Sequence, residues 1–174
     1  FDAPATGHIR QWLQVPEAVR RAVGMGPLHH VATRIKTLLF DPARTGLVPV
    51  TLPEELPVSE ATELCAFAKA NGMAVGPLVV NQCTLPPFSE HEVTAIARLA
   101  EAGQASPALS LTVHQIQQMA VQHRTEAGLL APLLELMAED GDRVQLPRVD
   151  GASARDRAAA LAQCLADTET GHTT

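Results

Sequence analysis

The sequence predicts an α/β fold in which a parallel sheet is flanked by helices, and two features of the chain indicate it. Two short runs, residues 45–52 and 75–81, are almost continuously apolar, which is typical of strands buried on both faces of a parallel sheet. The segment between them has apolar residues at helical spacing and ends at Asn71-Gly72, a pair suited to a helix carboxyl terminus. A strand, a helix and a strand in this order form a βαβ unit with parallel strands.

The helix of this unit is predicted to begin near Pro57 or Ser59. After the second strand, Ser89 and Glu92 form a capping box that starts another helix, which should end at Gly103. Three further elements follow: a long helix over residues 109–138 that Pro132 should kink or split, a strand over 143–149 and a helix over 153–166.

The region before the first strand predicts a helical insertion. Three short helices are expected there, broken at Pro16 and at residues 24–27. Pro49 inside the first strand removes a hydrogen-bond donor, so we expect a bulge or an edge position. The predicted organisation is a strand end and loop at residues 1–8, a helical insertion at 9–44, an α/β core at 45–168 and a disordered tail at 169–174.

Composition and charge restrict the classes of partner. The 174 residues, 46% hydrophobic and 18% charged, suffice for one ordinary core. The net charge of −6 gives no basic footprint for nucleic acid, and no apolar run approaches a membrane span of ~20 residues. Cys65, Cys83 and Cys164 lie far apart without a C-x-x-C motif, which favours reduced thiols. The sequence therefore predicts a cytoplasmic protein that does not span a membrane.

Polar residues follow the predicted strands, where ligands bind in an open parallel sheet. Four stretches occupy such positions, and we expect all of them on one rim: Asp2 with the loop to His8, residues 53–57 with Glu54, Asn81-Gln82, and residues 146–148 with Pro147 and Arg148. An aspartate at a strand end is a typical ligand of a Mg²⁺-bound water. The alternative for Asp2 is a helix cap or turn residue, and for Glu54 a solvated acid in a loop.

The opening stretch FDAPATGH resembles the D-T-A-P-T-G-H motif of the anion-transporting ATPases, the family of the arsenite-pump ATPase and of the ATPase that targets tail-anchored membrane proteins. Three further stretches resemble elements of that family in the same order: TLPEELPVSEATEL, LVVNQ and LPR. The resemblance covers most of the chain outside the insertion and the long helix. It implies a P-loop NTPase-like fold and a dimeric switch that couples binding and hydrolysis of ATP to a partner or client.

The resemblance also implies roles for the first eight residues. Asp2 would end the Walker B strand as a catalytic carboxylate and hold Mg²⁺ through water. Residues 3–8, with Pro4, Thr6, Gly7 and His8, would form a switch loop that responds to the γ-phosphate.

The other implied site residues belong to the α/β core. Asn81 would recognise the adenine of ATP, because its amide offers both a donor and an acceptor. Pro147 and Arg148 would flank the adenine ring, and Glu54 would be a rim carboxylate that pairs with a lysine across a dimer interface.

The sequence also departs from the family pattern. The switch has A-P-A-T-G-H-I in place of T-A-P-T-G-H-T, and no C-x-x-C is present to clasp a dimer through zinc. No G-x-x-x-x-G-K-[ST] loop occurs either, although phosphate binding in this class depends on it. We therefore expect a carboxyl-terminal part of a longer Mg²⁺-dependent ATPase, inactive by itself, that pairs with itself or with a related ATPase. The alternative is a non-catalytic, P-loop-free scaffold or interaction module.

Overall fold

The computed structural model describes residues 6–86, 88–102, 106–138, 143–149 and 153–170. This part of the chain is α/β, with short strands flanked by helices. The elements are, in chain order, α1 (Thr6–Ala22), α2 (Pro27–Leu39), β1 (Gly46–Leu47), β2 (Val50–Thr51), α3 (Glu55–Ala70), β3 (Ala74–Val75), β4 (Leu78–Cys83), α4 (Glu90–Ala102), α5 (Pro107–Met137), β5 (Arg143–Pro147) and α6 (Ala154–Thr170).

The strands form two small sheets. Strands β1 and β3 pair in parallel, with Gly46 opposite Ala74 and Leu47 opposite Val75. The other sheet has the strand order β2-β4-β5. The predicted βαβ unit is thus confirmed for β1, α3 and β3, because the helix connects two parallel strands.

Each of the two predicted strands is interrupted at a proline and becomes two strands. Pro49 separates β1 from β2, and Pro77 separates β3 from β4. A proline has no N–H to donate to a sheet, so neither strand continues through it. The carbonyl of Pro49 still accepts a hydrogen bond from the Val79 N–H at 2.9 Å. The expected edge position after Pro49 is confirmed, since β2 lies at the edge of its sheet.

Helix α3 ends at the predicted residues. Gly72 has a φ of 73°, and its N–H donates to the Lys69 carbonyl at 3.0 Å. The Met73 N–H donates to the Ala68 carbonyl at 3.0 Å, which completes a Schellman motif. The helix begins at Glu55, before the predicted start at Pro57 or Ser59.

The helical insertion has two helices where three were predicted. Pro16 lies inside α1 and is buried, so it does not break the helix. Packing of α1 against α2 and α3 compensates for the hydrogen bond that this proline removes. Helix α1 also includes residues 6–8, which the sequence analysis assigned to a loop. The predicted break at residues 24–27 is confirmed, because α1 ends at Ala22 and α2 begins at Pro27.

Helices α4, α5 and α6 are present in the predicted order. The capping box of α4 is confirmed: the Ser89 N–H donates to Glu92 at 2.8 Å, and the Glu92 N–H donates to the Ser89 hydroxyl at 3.4 Å. Helix α5 is one helix of 31 residues that Pro132 does not split. Helix α6 extends to Thr170, so residues 169–170 of the predicted tail are helical, and residues 171–174 lie outside the described residues.

The chain divides into two compact units. Unit 1 comprises residues up to 51, 55–79 and 132–144, and unit 2 comprises residues 52–54, 80–131 and from 145 onwards. The buried side chains of unit 1 include Leu64 and Leu133, and those of unit 2 include Val80 and Leu130. In the described part of the chain, each helix is too short or too polar to cross a membrane.

Candidate functional site

A cavity of about 460 Å³ lies within unit 2, at the end of β4. Its volume falls in the range of ~300–1,000 Å³ that is usual for small-molecule sites. It brings together three residues that the sequence analysis assigned to one site: Asn81, Pro147 and Arg148. The remaining lining residues are Gln82, Val149, Arg157 and Leu161.

The two chain segments at the cavity are joined by a backbone hydrogen bond. The Arg148 N–H, directly after β5, donates to the carbonyl of Cys83, the last residue of β4, at 3.2 Å. This bond fixes the distance between the Pro147-Arg148 segment and the end of β4. Residues that are far apart in the sequence are therefore held side by side.

Asn81 is half-buried in the cavity wall. Its side-chain oxygen, Oδ1, accepts a hydrogen bond from the Gln82 N–H at 2.9 Å. An amide oxygen has a second lone pair, and its NH₂ group has two hydrogens to donate. The Asn81 NH₂ group donates to no other described residue. The side chain can thus both accept a hydrogen bond from a ligand and donate one to it.

Gln82 has a left-handed backbone conformation, with a φ of 59°. It is the one described residue other than glycine with a positive φ. For an L-residue this conformation costs about 1–2 kcal/mol, so surrounding contacts must maintain it. Backbone strain of this kind is common at functional sites, and here it lies in the wall of the cavity.

Among the described lining residues, the charged ones are Arg148 and Arg157, both exposed. Pro147, Val149 and Leu161 supply apolar surface beside them. The lining thus combines positive charge, an amide and apolar surface, which suits a flat polar ring that carries an anionic group.

The sequence analysis missed the contribution of helix α6. Arg157 and Leu161 are four residues apart on α6, so they lie on one face of that helix. This spacing was visible in the sequence, but it could not indicate that the face borders a cavity.

The peptide after β4 is anchored to helix α5. Glu126 is 7% exposed, and its carboxylate accepts hydrogen bonds from the Thr84 N–H at 2.8 Å and from the Thr84 hydroxyl at 2.7 Å. The Gln122 side chain donates to the same carboxylate at 3.0 Å. His123 Nδ1 lies 2.8 Å from the Thr84 carbonyl. Since a carbonyl oxygen only accepts, Nδ1 is the donor in this contact.

Of the other predicted site residues, His8 and Glu54 have described side chains, and neither is among the lining residues of this cavity. Asp2 and Pro4 lie outside the described residues. Thr6, Gly7 and His8 form the start of helix α1, and His8 is exposed. Glu54 is exposed in the turn between β2 and α3. The structure therefore brings together, in one cavity lining, the three residues assigned to the adenine.

Among the described residues, no group of three or more His, Cys, Asp or Glu side chains could hold a metal ion. No disulfide joins Cys65, Cys83 and Cys164, all of which lie in the described ranges.

Comparison with known proteins gives a distant similarity to ATPases. No family model matches the chain. The chain is 28% identical over 159 residues to ATPase BagA of Mycobacterium tuberculosis (strain H37Rv) and to "Putative ATPase Mb3704" of Mycobacterium bovis. Each alignment covers 86% of this chain and 45% of the relative. The chain thus spans about half the length of the curated relatives it matches.

Proposed function

We propose that this chain supplies the adenine-binding part of an ATP-hydrolysing switch of the anion-transporting ATPase type. The observation that carries the proposal is the cavity of unit 2, which unites Asn81 with Pro147 and Arg148. The distant similarity to proteins named as ATPases supports the same class of activity.

The cavity has the chemistry that an adenine base requires. The base presents a ring nitrogen that accepts and an exocyclic amine that donates, and the Asn81 amide can pair with both. The apolar surface of Pro147, Val149 and Leu161 suits the faces of the ring. The Arg148 guanidinium can stack on the base or attract the phosphates, since a planar delocalised cation does both.

Hydrolysis requires groups beyond this cavity, and the proposal assigns them by resemblance. Asp2 would hold Mg²⁺ through water, and Pro4, Thr6, Gly7 and His8 would respond to the γ-phosphate. The 174 residues contain no glycine-rich loop with a lysine, so the phosphate cradle would come from another part of the complete protein.

The proposal includes a partner or client and a dimer formed with a second copy or with a related ATPase. Helix α2 carries exposed apolar side chains on one face, at Leu28, Val31, Ile35 and Leu38. Exposed apolar faces are typical of interaction surfaces, which supports the existence of a partner.

The test is the affinity of the chain for ATP and for GTP, measured by NMR titration because this method detects weak binding. Asn81→Ala should weaken ATP binding by about 1–3 kcal/mol and reduce the preference for ATP over GTP, since the polar groups of the bound base would lose their hydrogen-bond partner. Asn71→Ala is the matched control. Asn71 lies after α3, where its side chain donates to the Phe67 carbonyl at 2.8 Å, and it does not line the cavity.

Equal ATP affinity and base preference for Asn81→Ala and the unaltered chain would contradict the adenine assignment. The second candidate, a P-loop-free scaffold, would then be favoured, because the sequence contains no G-x-x-x-x-G-K-[ST] motif.

A further inference from the structure

We propose that Glu126 is a positioning residue for this cavity, acting through Thr84 to hold Gln82 in its left-handed conformation and so to fix the Asn81 amide. The inference rests on the proposed function, because the cavity is the site that Glu126 would organise. Glu126 does not line the cavity itself.

Thr84 is held by helix α5 through hydrogen bonds to all of its polar groups. All three of its polar groups have partners on that helix: the N–H and the hydroxyl bind Glu126, and the carbonyl contacts His123. Glu126 and His123 are three residues apart, so they lie on one face of α5. Thr84 is therefore fixed by a rigid helix.

The backbone connects Thr84 to the cavity residue Gln82 over a short distance. Only Cys83 separates Thr84 from Gln82, and the carbonyl of Cys83 is held by the Arg148 N–H at 3.2 Å. With both of these residues fixed, the backbone dihedrals of Gln82 have little freedom. The Gln82 N–H in turn binds Asn81 Oδ1 at 2.9 Å, which sets the orientation of the amide that would recognise the base.

Burial of the Glu126 carboxylate is costly unless it is hydrogen-bonded. A buried carboxylate needs full hydrogen bonding, and Glu126 forms no ion pair with a described residue. Two of its three hydrogen bonds come from Thr84 and one from Gln122. The carboxylate and the peptide after β4 therefore depend on each other, so the loss of one frees the other.

The experiment compares Glu126→Gln with Glu92→Gln in the 174-residue chain. Glu92 makes the same pair of bonds at the start of α4, to the Ser89 N–H at 2.8 Å and to the Ser89 hydroxyl at 2.7 Å, and it does not line the cavity. It is thus a control for the loss of a carboxylate that holds a backbone turn.

Two readouts are needed. The first is the hydrogen-exchange rate of the Gln82 backbone amide, measured without ligand. Glu126 does not contact this amide directly, so a change in its exchange rate reports an effect transmitted through Thr84. The second is the affinity for ATP. Glu126→Gln should accelerate exchange at Gln82 and weaken ATP binding, each by about tenfold or more, because hydrogen bonds to charged groups are the stronger ones. Glu92→Gln should change neither quantity.

A rescue experiment separates positioning from general stability. In the Glu126→Gln background, Gln82→Gly should recover part of the lost ATP affinity, because glycine adopts a positive φ without strain. Gln82→Ala removes the same side chain and should not recover it. If Glu126→Gln fails to fold, Thr84→Val, which removes only the hydroxyl donor, takes its place in both readouts.

The outcomes distinguish the two proposals. If the unaltered chain does not bind ATP, the proposed function is wrong, and exchange at Gln82 still tests the positioning role. If Glu126→Gln lowers the free energy of unfolding but leaves exchange at Gln82 and ATP affinity unchanged, the positioning role is refuted. Equal recovery by Gln82→Gly and Gln82→Ala would refute the route through Gln82.

Discussion

Substitution by alanine at two glycines with open space around them should change the free energy of unfolding in opposite directions. At Gly72 and at Gly128, an added Cβ would meet no atom within 4 Å, so a steric clash plays no part at either position. Gly72 has a φ of 73°, whereas Gly128 lies inside helix α5. The two substitutions therefore differ in the backbone conformation that alanine must adopt.

The magnitudes follow from that difference. The left-handed conformation costs an L-residue about 1–2 kcal/mol, partly offset by ~0.4–1 kcal/mol from the reduced entropy of the unfolded chain. Gly72→Ala should therefore lower the free energy of unfolding by about 1 kcal/mol. In a helix interior alanine is favoured over glycine by about 0.8–1.0 kcal/mol, so Gly128→Ala should raise it by a similar amount.

The assay is urea unfolding followed by far-UV circular dichroism, with Trp12 fluorescence as a separate probe of unit 1, which contains both Trp12 and Gly72. Gly72→Ala should shift the fluorescence transition to lower urea. Gly128→Ala should shift the dichroism transition to higher urea. A higher free energy of unfolding for Gly72→Ala would show that the left-handed conformation at the end of α3 does not disfavour alanine, and it would refute the reasoning.

Two further predictions concern acid and turnover. The hydrogen bond from Lys36 lowers the pKa of Glu17 below its usual 4.5, and the Ser89 hydroxyl lowers that of Glu92. Because each folded-state pKa lies below the unfolded one, the stability that these carboxylates contribute is present above pH ~4.5 and lost as the pH falls through the folded pKa. Between about pH 6 and pH 3, the free energy of unfolding measured in urea should fall less for Glu17→Gln than for the unaltered chain. An equal fall for both would contradict the stabilising role of the ion pair between Glu17 and Lys36. We also expect no phosphate release from ATP by the 174-residue chain, since its sequence contains no G-x-x-x-x-G-K-[ST] motif. Turnover that Asp2→Asn abolishes would contradict this expectation.

Several features of the fold could be predicted because neighbouring residues determine them. The capping box of Ser89 and Glu92 and the left-handed Gly72 both have the predicted geometry. Such caps depend on a side chain and a backbone group only a few residues apart. Local sequence is sufficient for features of this kind.

The prolines show the limit of local sequence. Pro16 and Pro132 both lie inside continuous helices, although each removes an intrahelical hydrogen bond. Helix α1 packs against α2 and α3 within unit 1, and Leu133, next to Pro132, is fully buried. The burial of apolar surface outweighs the missing hydrogen bond, and this gain cannot be evaluated before the packing is known.

The candidate site divides in the same way. The sequence alone indicated Asn81, Pro147 and Arg148 as residues at the ends of strands, because ligands bind there in an open sheet. The predicted ends were not exact: β4 runs two residues past Asn81 to Cys83, and β5 ends at Pro147 and not at Val149. Only the tertiary structure added Arg157 from α6 and the Glu126 anchor from α5. The Glu126 anchor joins residues 42 positions apart, and Arg157 shares a cavity wall with Asn81 although the two are distant in the sequence. No local pattern encodes which of these side chains meet, because that depends on the tertiary arrangement of the elements.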